Sequence, residues 1–213
     1  MIKVIVADDH ELVRSGIEYI LGEDPEIQIV GSAATGEELL RQVREKAPDV
    51  VIVDVNMPGM GGVEACRRIR SHHPDVRLIA LSVYTGGPIP RHLIETGIDG
   101  YLSKHCPPQE MIQAVKSVYR GKRYLSADVA THLALENADS HPSPFSLLSK
   151  REMEVTLLTL QGKSIQEIAD LLSVSSKTVC TYRYRIFEKL GIRNDVELTR
   201  LAAKYGLLNG NSG

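Results

Sequence analysis

The feature that most constrains this chain is the stretch Val50-Val51-Ile52-Val53-Asp54-Val55-Asn56-Met57-Pro58-Gly59-Met60-Gly61-Gly62. A β-branched run without polar alternation suits a strand buried on both faces of a parallel sheet, and it is too short to cross a membrane. The run stops at a carboxylate. Pro58 and Gly59 then force a turn, so Asp54 is expected at the strand's carboxyl end, where open α/β sheets place their ligands. Alone, such an Asp is as readily a turn or N-cap residue; its partners elsewhere in the chain give it weight.

Strand patterns recur at residues 2–7, 27–33, 77–82 and 100–103, and helical ones separate them. Leu12, Val13, Ile17, Ile20 and Leu21 recur at helical spacing before Gly22. Further helices are predicted over 37–47, 63–72, a short piece after Pro90, and 108–120, with Met111, Ile112, Val115 and Tyr119 on one face of the last. Five β–α pairs in strict alternation predict a parallel sheet with helices on both sides. A connector helix is expected over 126–137. The Ser/Pro-rich segment from Ala138 through Pro144 then reads as a linker.

Beyond the linker only helices are expected. Ser149 with Glu152, and Ser164 with Glu167, have the spacing of capping boxes that open two helices. Ser175 caps a third, closed by Gly191, and residues 195–205 form a fourth. A tight turn at Ser173-Val174, between the second and third, gives a helix-turn-helix frame. The predicted division is 1–121, a connector and linker over 122–148, a helical domain over 149–208, and a tail over 209–213.

Charge follows that division. Residues 1–148 carry 15 Lys and Arg against 20 Asp and Glu, whereas residues 149–213 carry 10 against 7, so only the second part suits a polyanion. Cys66, Cys106 and Cys180 have no CxxC or zinc spacing and read as reduced thiols. With no membrane-length apolar run and a strand pattern starting at Ile2, a cytoplasmic location is expected.

Asp8 and Asp9 end the first strand as Asp54 ends the third. In a flavodoxin-like strand order of 2-1-3-4-5 those strands are neighbours. Three clustered carboxylates need a cation among them, and hard oxygen ligands favour Mg2+. Ser82, after the fourth strand, and Lys104, after the fifth, add a hydroxyl and an ammonium at the same edge.

Together Asp8-Asp9, Asp54 with Met57-Pro58-Gly59, Ser82, and Gly100-Tyr101 with Lys104 resemble the receiver domain of bacterial two-component response regulators, over about residues 1–121. The resemblance implies that Asp54 accepts a phosphoryl group from a kinase phosphohistidine. It also implies that Asp9, Asp54 and the Asn56 backbone carbonyl hold Mg2+, with Asp8 acting through water, and that Ser82 and Tyr101 form the switch. Phosphorylation would draw the Ser82 hydroxyl inward and let Tyr101 rotate from exposed to buried. Asn56 and Tyr84 match positions that tune phosphoryl lifetime. One position departs from the pattern: His105 stands where receivers commonly carry a proline after a cis bond.

Residues 145–208 resemble the LuxR/NarL-type DNA-binding domain, on Ser149-Lys150-Arg151-Glu152, Ile165 to Ala169 and Ser175 to Val179. Spacing at 100° per residue puts Val179, Tyr182, Ile186 and Leu190 on a packing face of the third helix and Lys177, Thr181, Tyr184 and Glu188 opposite. Cys180, Thr181 and Tyr184 are the candidates for base contacts; Lys177 and Arg185 are candidates for phosphate contacts. Arg183 lies nearer the inward side and suits an ion pair. An apolar stripe of Val196, Leu198, Leu201, Ala202 and Tyr205 on the last helix serves either core packing or pairing of two copies.

The reading is thus an α/β, flavodoxin-like (βα)5 receiver joined to an all-α helix-turn-helix domain, of the NarL/LuxR (FixJ) type. Tyr84 to Pro90 and Thr178 to Leu190 are most similar to the GacA/UvrY/LetA branch. That resemblance implies a transcription regulator rather than an enzyme, partnered by a sensor histidine kinase or phosphotransfer domain and by double-stranded DNA, and a homodimer when phosphorylated or DNA-bound. For the branch it implies activation of small regulatory RNA genes that sequester a carbon-storage regulator, controlling virulence or growth-phase traits. Two other classes share some features: a Mg2+-dependent aspartyl phosphatase, which usually has a second Asp where this chain has Asn56, and a non-signalling receiver that acts as an interaction module.

Overall fold

The computed structural model describes residues 1–138 and 143–208. They divide into two compact units, Met1–Thr85 with Leu93–Thr131, and Gly86–His92 with His132–Gly213. Part of the expected linker, 139–142, and the tail 209–213 lie outside the described residues.

The first part of the chain alternates β1 (Ile2–Ala7), α1 (Glu11–Gly22), β2 (Ile27–Ala33), α2 (Gly36–Lys46), β3 (Val50–Asp54), α3 (Gly61–His72), β4 (Arg77–Ser82), α4 (Pro88–Glu95), β5 (Gly100–Ser103), α5 (Pro108–Tyr119), β6 (Tyr124–Leu125) and α6 (Ala127–Ala138). All strands are parallel, in the order β2-β1-β3-β4-β5-β6. Alternate residues face opposite sides of the sheet. Val4, Val6, Val50, Ile52, Ile79, Leu81 and Leu102 share one core with Ile17 and Leu21 of α1 and Met111, Ala114, Val115 and Val118 of α5. The intervening Ile5, Val51, Val53, Leu78 and Ala80 are equally buried, as are Leu39, Val43 and Ile69 of α2 and α3. Helical cover on both faces explains why β3 carries no polar alternation.

Several expectations shift. The connector segment contains a sixth strand: Tyr124–Leu125 pairs with Gly100 and Tyr101 of β5. Two residues are too few to show a period, so only the partner strand reveals them. Leu12 and Val13 lie on the solvent side of α1, Leu12 being 87% exposed, because Ile17 and Leu21 alone take its core-facing stripe. Tyr119, grouped by its spacing with Met111, Ile112 and Val115, is exposed at the end of α5. The helix expected after Pro90 starts at Pro88, since a proline in the first turn forfeits no intrahelical hydrogen bond.

The second part holds a short 3-10 turn (Pro144–Leu147) and then α7 (Lys150–Leu160), α8 (Ile165–Leu172), α9 (Ser176–Leu190) and α10 (Asp195–Lys204). Both capping boxes form, Ser149 with Glu152 and Ser164 with Glu167. Ser173 takes a left-handed conformation with φ 54°, ending α8, and the Ser175 side chain accepts from the Thr178 N–H to start α9. Ser175 therefore works as the sequence pattern expects, as does Gly191, left-handed at the end of α9.

Glycine matters most at the start of α3, which packs against the end of β3. A Cβ on Gly62 would lie 1.9 Å from the Asp54 carbonyl oxygen, whereas one on Gly16, on the exposed side of α1, would meet nothing within 4 Å. Gly62→Ala is expected to destabilise the first unit by about 1–3 kcal/mol and Gly16→Ala to stabilise it by roughly 0.5–1 kcal/mol, both read from urea unfolding midpoints.

Candidate phosphoacceptor pocket and nucleic-acid interface

The parallel pairing of β1 with β3 sets Ala7 opposite Val53, so the next residues, Asp8 and Asp54, emerge side by side at one sheet edge. Both are buried. Lys104, just beyond β5, is anchored by its N–H donating to the Ser82 carbonyl at 2.8 Å. Its Nζ donates to Asp8 Oδ2 at 2.7 Å and to Asp54 Oδ2 at 2.9 Å. The other Asp54 oxygen accepts from the Asn56 N–H at 3.1 Å.

Burial pushes the Asp54 carboxyl above its ordinary range, although the Lys104 charge and the Asn56 N–H pull the other way. Burial alone would lower Lys104, but the hydrogen bonds and charges of Asp8 and Asp54 outweigh it and hold the ammonium above its ordinary value. One cation thus balances two buried anions, and the pocket keeps an excess of negative charge.

Asp9 adds to that excess. Its side chain is partly exposed; its buried Oδ1 accepts no hydrogen bond among the described residues and stands 3.0 Å from His10 Nδ1, an ion pair when that imidazole is protonated. A buried carboxylate oxygen is costly unless a donor or a cation meets it. Ligand atoms of Asp8, Asp9, His10 and Asp54 all lie within 4.8 Å of one another. The hard oxygens fit Mg2+. His10 escaped the sequence reading; its only signal was its place directly after Asp8-Asp9.

The switch candidates converge on the same edge. Ser82 is fully buried, and its Oγ accepts from the Tyr84 N–H at 3.1 Å. Tyr101 is also buried, with its hydroxyl donating to the Tyr84 carbonyl at 2.7 Å, and burial raises its phenol well above the ordinary value. Tyr101 thus occupies the inward position here. The Lys104–His105 peptide is trans, like every described peptide bond, and the His105 N–H donates to Ser103 Oγ at 3.2 Å. A trans bond at His105 still lets Lys104 reach both carboxylates. Glu37, also unforeseen, steadies the loop after β3 by accepting from the Met60 N–H at 3.2 Å.

In the helical domain α9 is sorted as its spacing predicts. Val179 and Ile186 are buried and Tyr182 and Leu190 half-buried, while Lys177, Cys180, Thr181, Tyr184, Arg185 and Glu188 are exposed. Arg183 turns inward and holds Asp195 of α10 through contacts of 2.9 and 2.8 Å. Lys189 Nζ meets Glu152 Oε2 at 2.6 Å, and Arg151 of α7 donates to the Leu172 carbonyl at the end of α8 at 2.6 Å. On α10, Leu198 and Ala202 are buried whereas Val196 is exposed. The framework residues thus fix α9 from behind and leave its Lys177-to-Arg185 face to solvent.

The family model "Response regulator receiver domain" matches residues 4–116, and "Bacterial regulatory proteins, luxR family" matches residues 146–202. The chain is 46% identical to the response regulator UvrY of Escherichia coli over 98% of this chain and 97% of that protein. It is 46% identical to the response regulator GacA of Pseudomonas syringae over the whole of both chains. The chain is a LuxR-type response regulator. Among solved structures, RcsB of Salmonella typhimurium superposes with a TM-score of 0.79 at 26% identity, covering 97% of this chain and 98% of that one. RcsB bound to the rprA promoter with a phosphomimetic gives 0.77 at 26% identity, over 95% and 99%.

This response regulator is a phosphorylation-controlled, DNA-binding transcription regulator, with an α/β receiver followed by a helical LuxR-type domain. Receiver domains bind Mg2+ at an acidic pocket of the kind that Asp8, Asp9 and Asp54 form. No described helix is long and apolar enough to cross a membrane.

The raised Asp54 pKa has a definite sign for stability. The folded state holds the Asp54 proton more tightly than the unfolded chain, whose ordinary value is 3.8, so stability falls as pH rises through the folded pKa. Asp54→Asn removes this loss. The variant should unfold at a higher temperature than the parent at pH 7 by differential scanning calorimetry, and the gap should narrow as the pH is lowered toward the ordinary carboxylate range.

Proposed function

We propose that Asp54 is the phosphoacceptor and that its phosphorylation, by a sensor histidine kinase or a phosphotransfer domain, controls promoter binding by α9. An Asp54 oxygen attacks the phosphorus of a phosphohistidine, the P–N bond breaks, and its electron pair returns to the imidazole, which takes up a proton. Lys104, already 2.9 Å from Asp54 Oδ2, supports that reading because its ammonium can draw charge from the equatorial phosphoryl oxygens. Asp8, Asp9, Asp54 and the Asn56 carbonyl would hold Mg2+, which when bound neutralises the remaining charge on the transferring group. Ser82 and Tyr101, which both contact the Tyr84 backbone, would report phosphorylation to the surface.

On the DNA side, exposed Cys180, Thr181 and Tyr184 read base edges in the major groove while Lys177 and Arg185 meet phosphates. The proposed boundaries are 1–121 for the receiver and 149–208 for the DNA-binding domain, in a cytoplasmic protein that pairs as a homodimer when phosphorylated or bound to DNA. Its role is regulatory rather than that of a turnover enzyme: the position two beyond Asp54 offers Asn56 and no second acid. Its proposed targets are promoters of small regulatory RNA genes that sequester a carbon-storage regulator, in keeping with its 46% identity to UvrY and GacA.

The observation that carries the reading is the Asp8–Lys104–Asp54 clamp beside the Asp9 carboxylate. Incubation with acetyl phosphate and Mg2+ should label the parent and leave Asp54→Asn unlabelled on Phos-tag gels; a labelled variant would remove Asp54 from its role. In electrophoretic mobility shifts, Lys177→Ala should weaken binding to all duplexes alike and lower the slope of log affinity against log salt by about one.

A further inference from the structure

Lys104 reaches the pocket from a loop whose last strand residue, Ser103, is the hub of a second hydrogen-bond network. Ser103 is fully buried, as is Ser126 at the start of α6. The Ser103 N–H donates to Ser126 Oγ at 3.2 Å. Its own Oγ accepts from the His105 N–H at 3.2 Å, a donor that a proline at this position would lack. A hydroxyl has one proton to give. That of Ser126 goes to Asp128 Oδ1 at 2.6 Å, and the Ser103 hydroxyl also bonds the Asp128 carboxylate. Each hydroxyl thus accepts from a backbone N–H beside Lys104 and passes its proton to Asp128. The Val129 N–H is a third donor to Asp128 Oδ1, at 2.8 Å. Although burial raises the Asp128 carboxyl, the bonds from Ser126, Val129 and Ser103 outweigh it and hold it below its ordinary value.

We propose that Asp128, on the first turn of α6, is a positioning residue for phosphoryl transfer: through the Ser103 hydroxyl it fixes the Lys104–His105 peptide and so keeps the Lys104 ammonium between Asp8 and Asp54. The inference rests on Asp54 being the phosphoacceptor and Lys104 its charge partner. Three successive N–H groups are tied, Ser103 to Ser126, Lys104 to the Ser82 carbonyl and His105 to Ser103 Oγ. Those ties set the direction in which the lysine side chain leaves the backbone, and a charged group displaced by even about 1 Å loses much of its effect on a transferring phosphoryl group. Closing the first turn of α6 does not by itself call for this network, because Glu110 Oε1 already accepts from the Ala127 N–H at 3.3 Å and from the Tyr124 hydroxyl at 3.4 Å. An Asn at 128 would bring one acceptor oxygen in place of two, too few to serve Ser126, Val129 and Ser103 as the carboxylate does.

The test is labelling of the full chain by acetyl phosphate and Mg2+, timed on Phos-tag gels, in the parent, Asp128→Asn, Ser103→Ala, the double variant and Glu110→Gln. The Asp128 side chain lies at the surface, and circular dichroism melts above the assay temperature establish that each variant is folded. Asp128→Asn and Ser103→Ala should each slow labelling at saturating Mg2+ about fivefold or more, with the half-saturating Mg2+ concentration within about twofold of the parent's, because Lys104 serves the transferring group rather than the metal. The double variant should label within about twofold of the slower single variant, since two residues that act through one contact do not add. Glu110→Gln weakens the hold on the same helical turn through a different contact and should label within about twofold of the parent. Labelling of Asp128→Asn at the parent's rate, single effects that multiply in the double variant, or equal slowing by Glu110→Gln each overturns the Asp128 assignment while the phosphoacceptor stands. Labelling of Asp54→Asn removes the phosphoacceptor itself, and the Asp128 assignment falls with it.

Discussion

The Lys104 ammonium, seated between the buried carboxylates of Asp8 and Asp54, is the interaction on which the first unit depends. Asp8 and Asp54 repel one another and have lost most of their water, so neither is tolerable there without a cation. Supplying it requires β1, β3 and β5 to end at one edge and in register, because a one-residue slip would turn each functional side chain to the opposite face. The apolar strands set that register from below, through helical cover on both sheet faces. Site and core therefore impose the same geometry.

The clamp is incomplete by design of its charges. One ammonium answers two buried carboxylates, and the Asp9 carboxylate beside them adds to the negative charge. A pocket left anionic in this way favours a bound cation, and on the proposed reading that cation and Lys104 would meet the charge of an incoming phosphoryl group. Charge neutralisation, rather than covalent chemistry supplied by the protein, is what such a transfer asks of its surroundings.

In the helical domain a second carboxylate plays a comparable part. Glu152 closes the capping box on the Ser149 N–H and also meets Lys189 of α9, and although burial raises its carboxyl, those partners outweigh that and hold it below its ordinary value. With Arg183 bound to Asp195 as well, the rear of α9 is tied to both α7 and α10. A helix fixed from behind presents its outer side chains with little freedom to reorient, which suits contacts to base edges.

The strand bounds, both capping boxes and the faces of α9 were legible in the sequence, because each is written in short-range spacing: a β-branched run, a Ser three residues before a Glu, a period of 3.6. Leu12 and Tyr119 fit the helical spacing and yet are exposed, since periodicity identifies an apolar stripe but not how far its neighbours cover it. Two-residue β6, the Glu37 contact to the loop after β3 and the His10 imidazole beside Asp9 were out of reach of any local pattern. The sequence by itself determined which residue types stand at the strand ends and therefore the chemistry available. Only the tertiary structure decided that Lys104 bridges two carboxylates 50 and 96 residues away, that Tyr101 sits inward, and that the bond before His105 is trans. The physical reason is range: local spacing follows from backbone geometry, whereas a charge balance depends on which distant strand ends the packed sheet brings together.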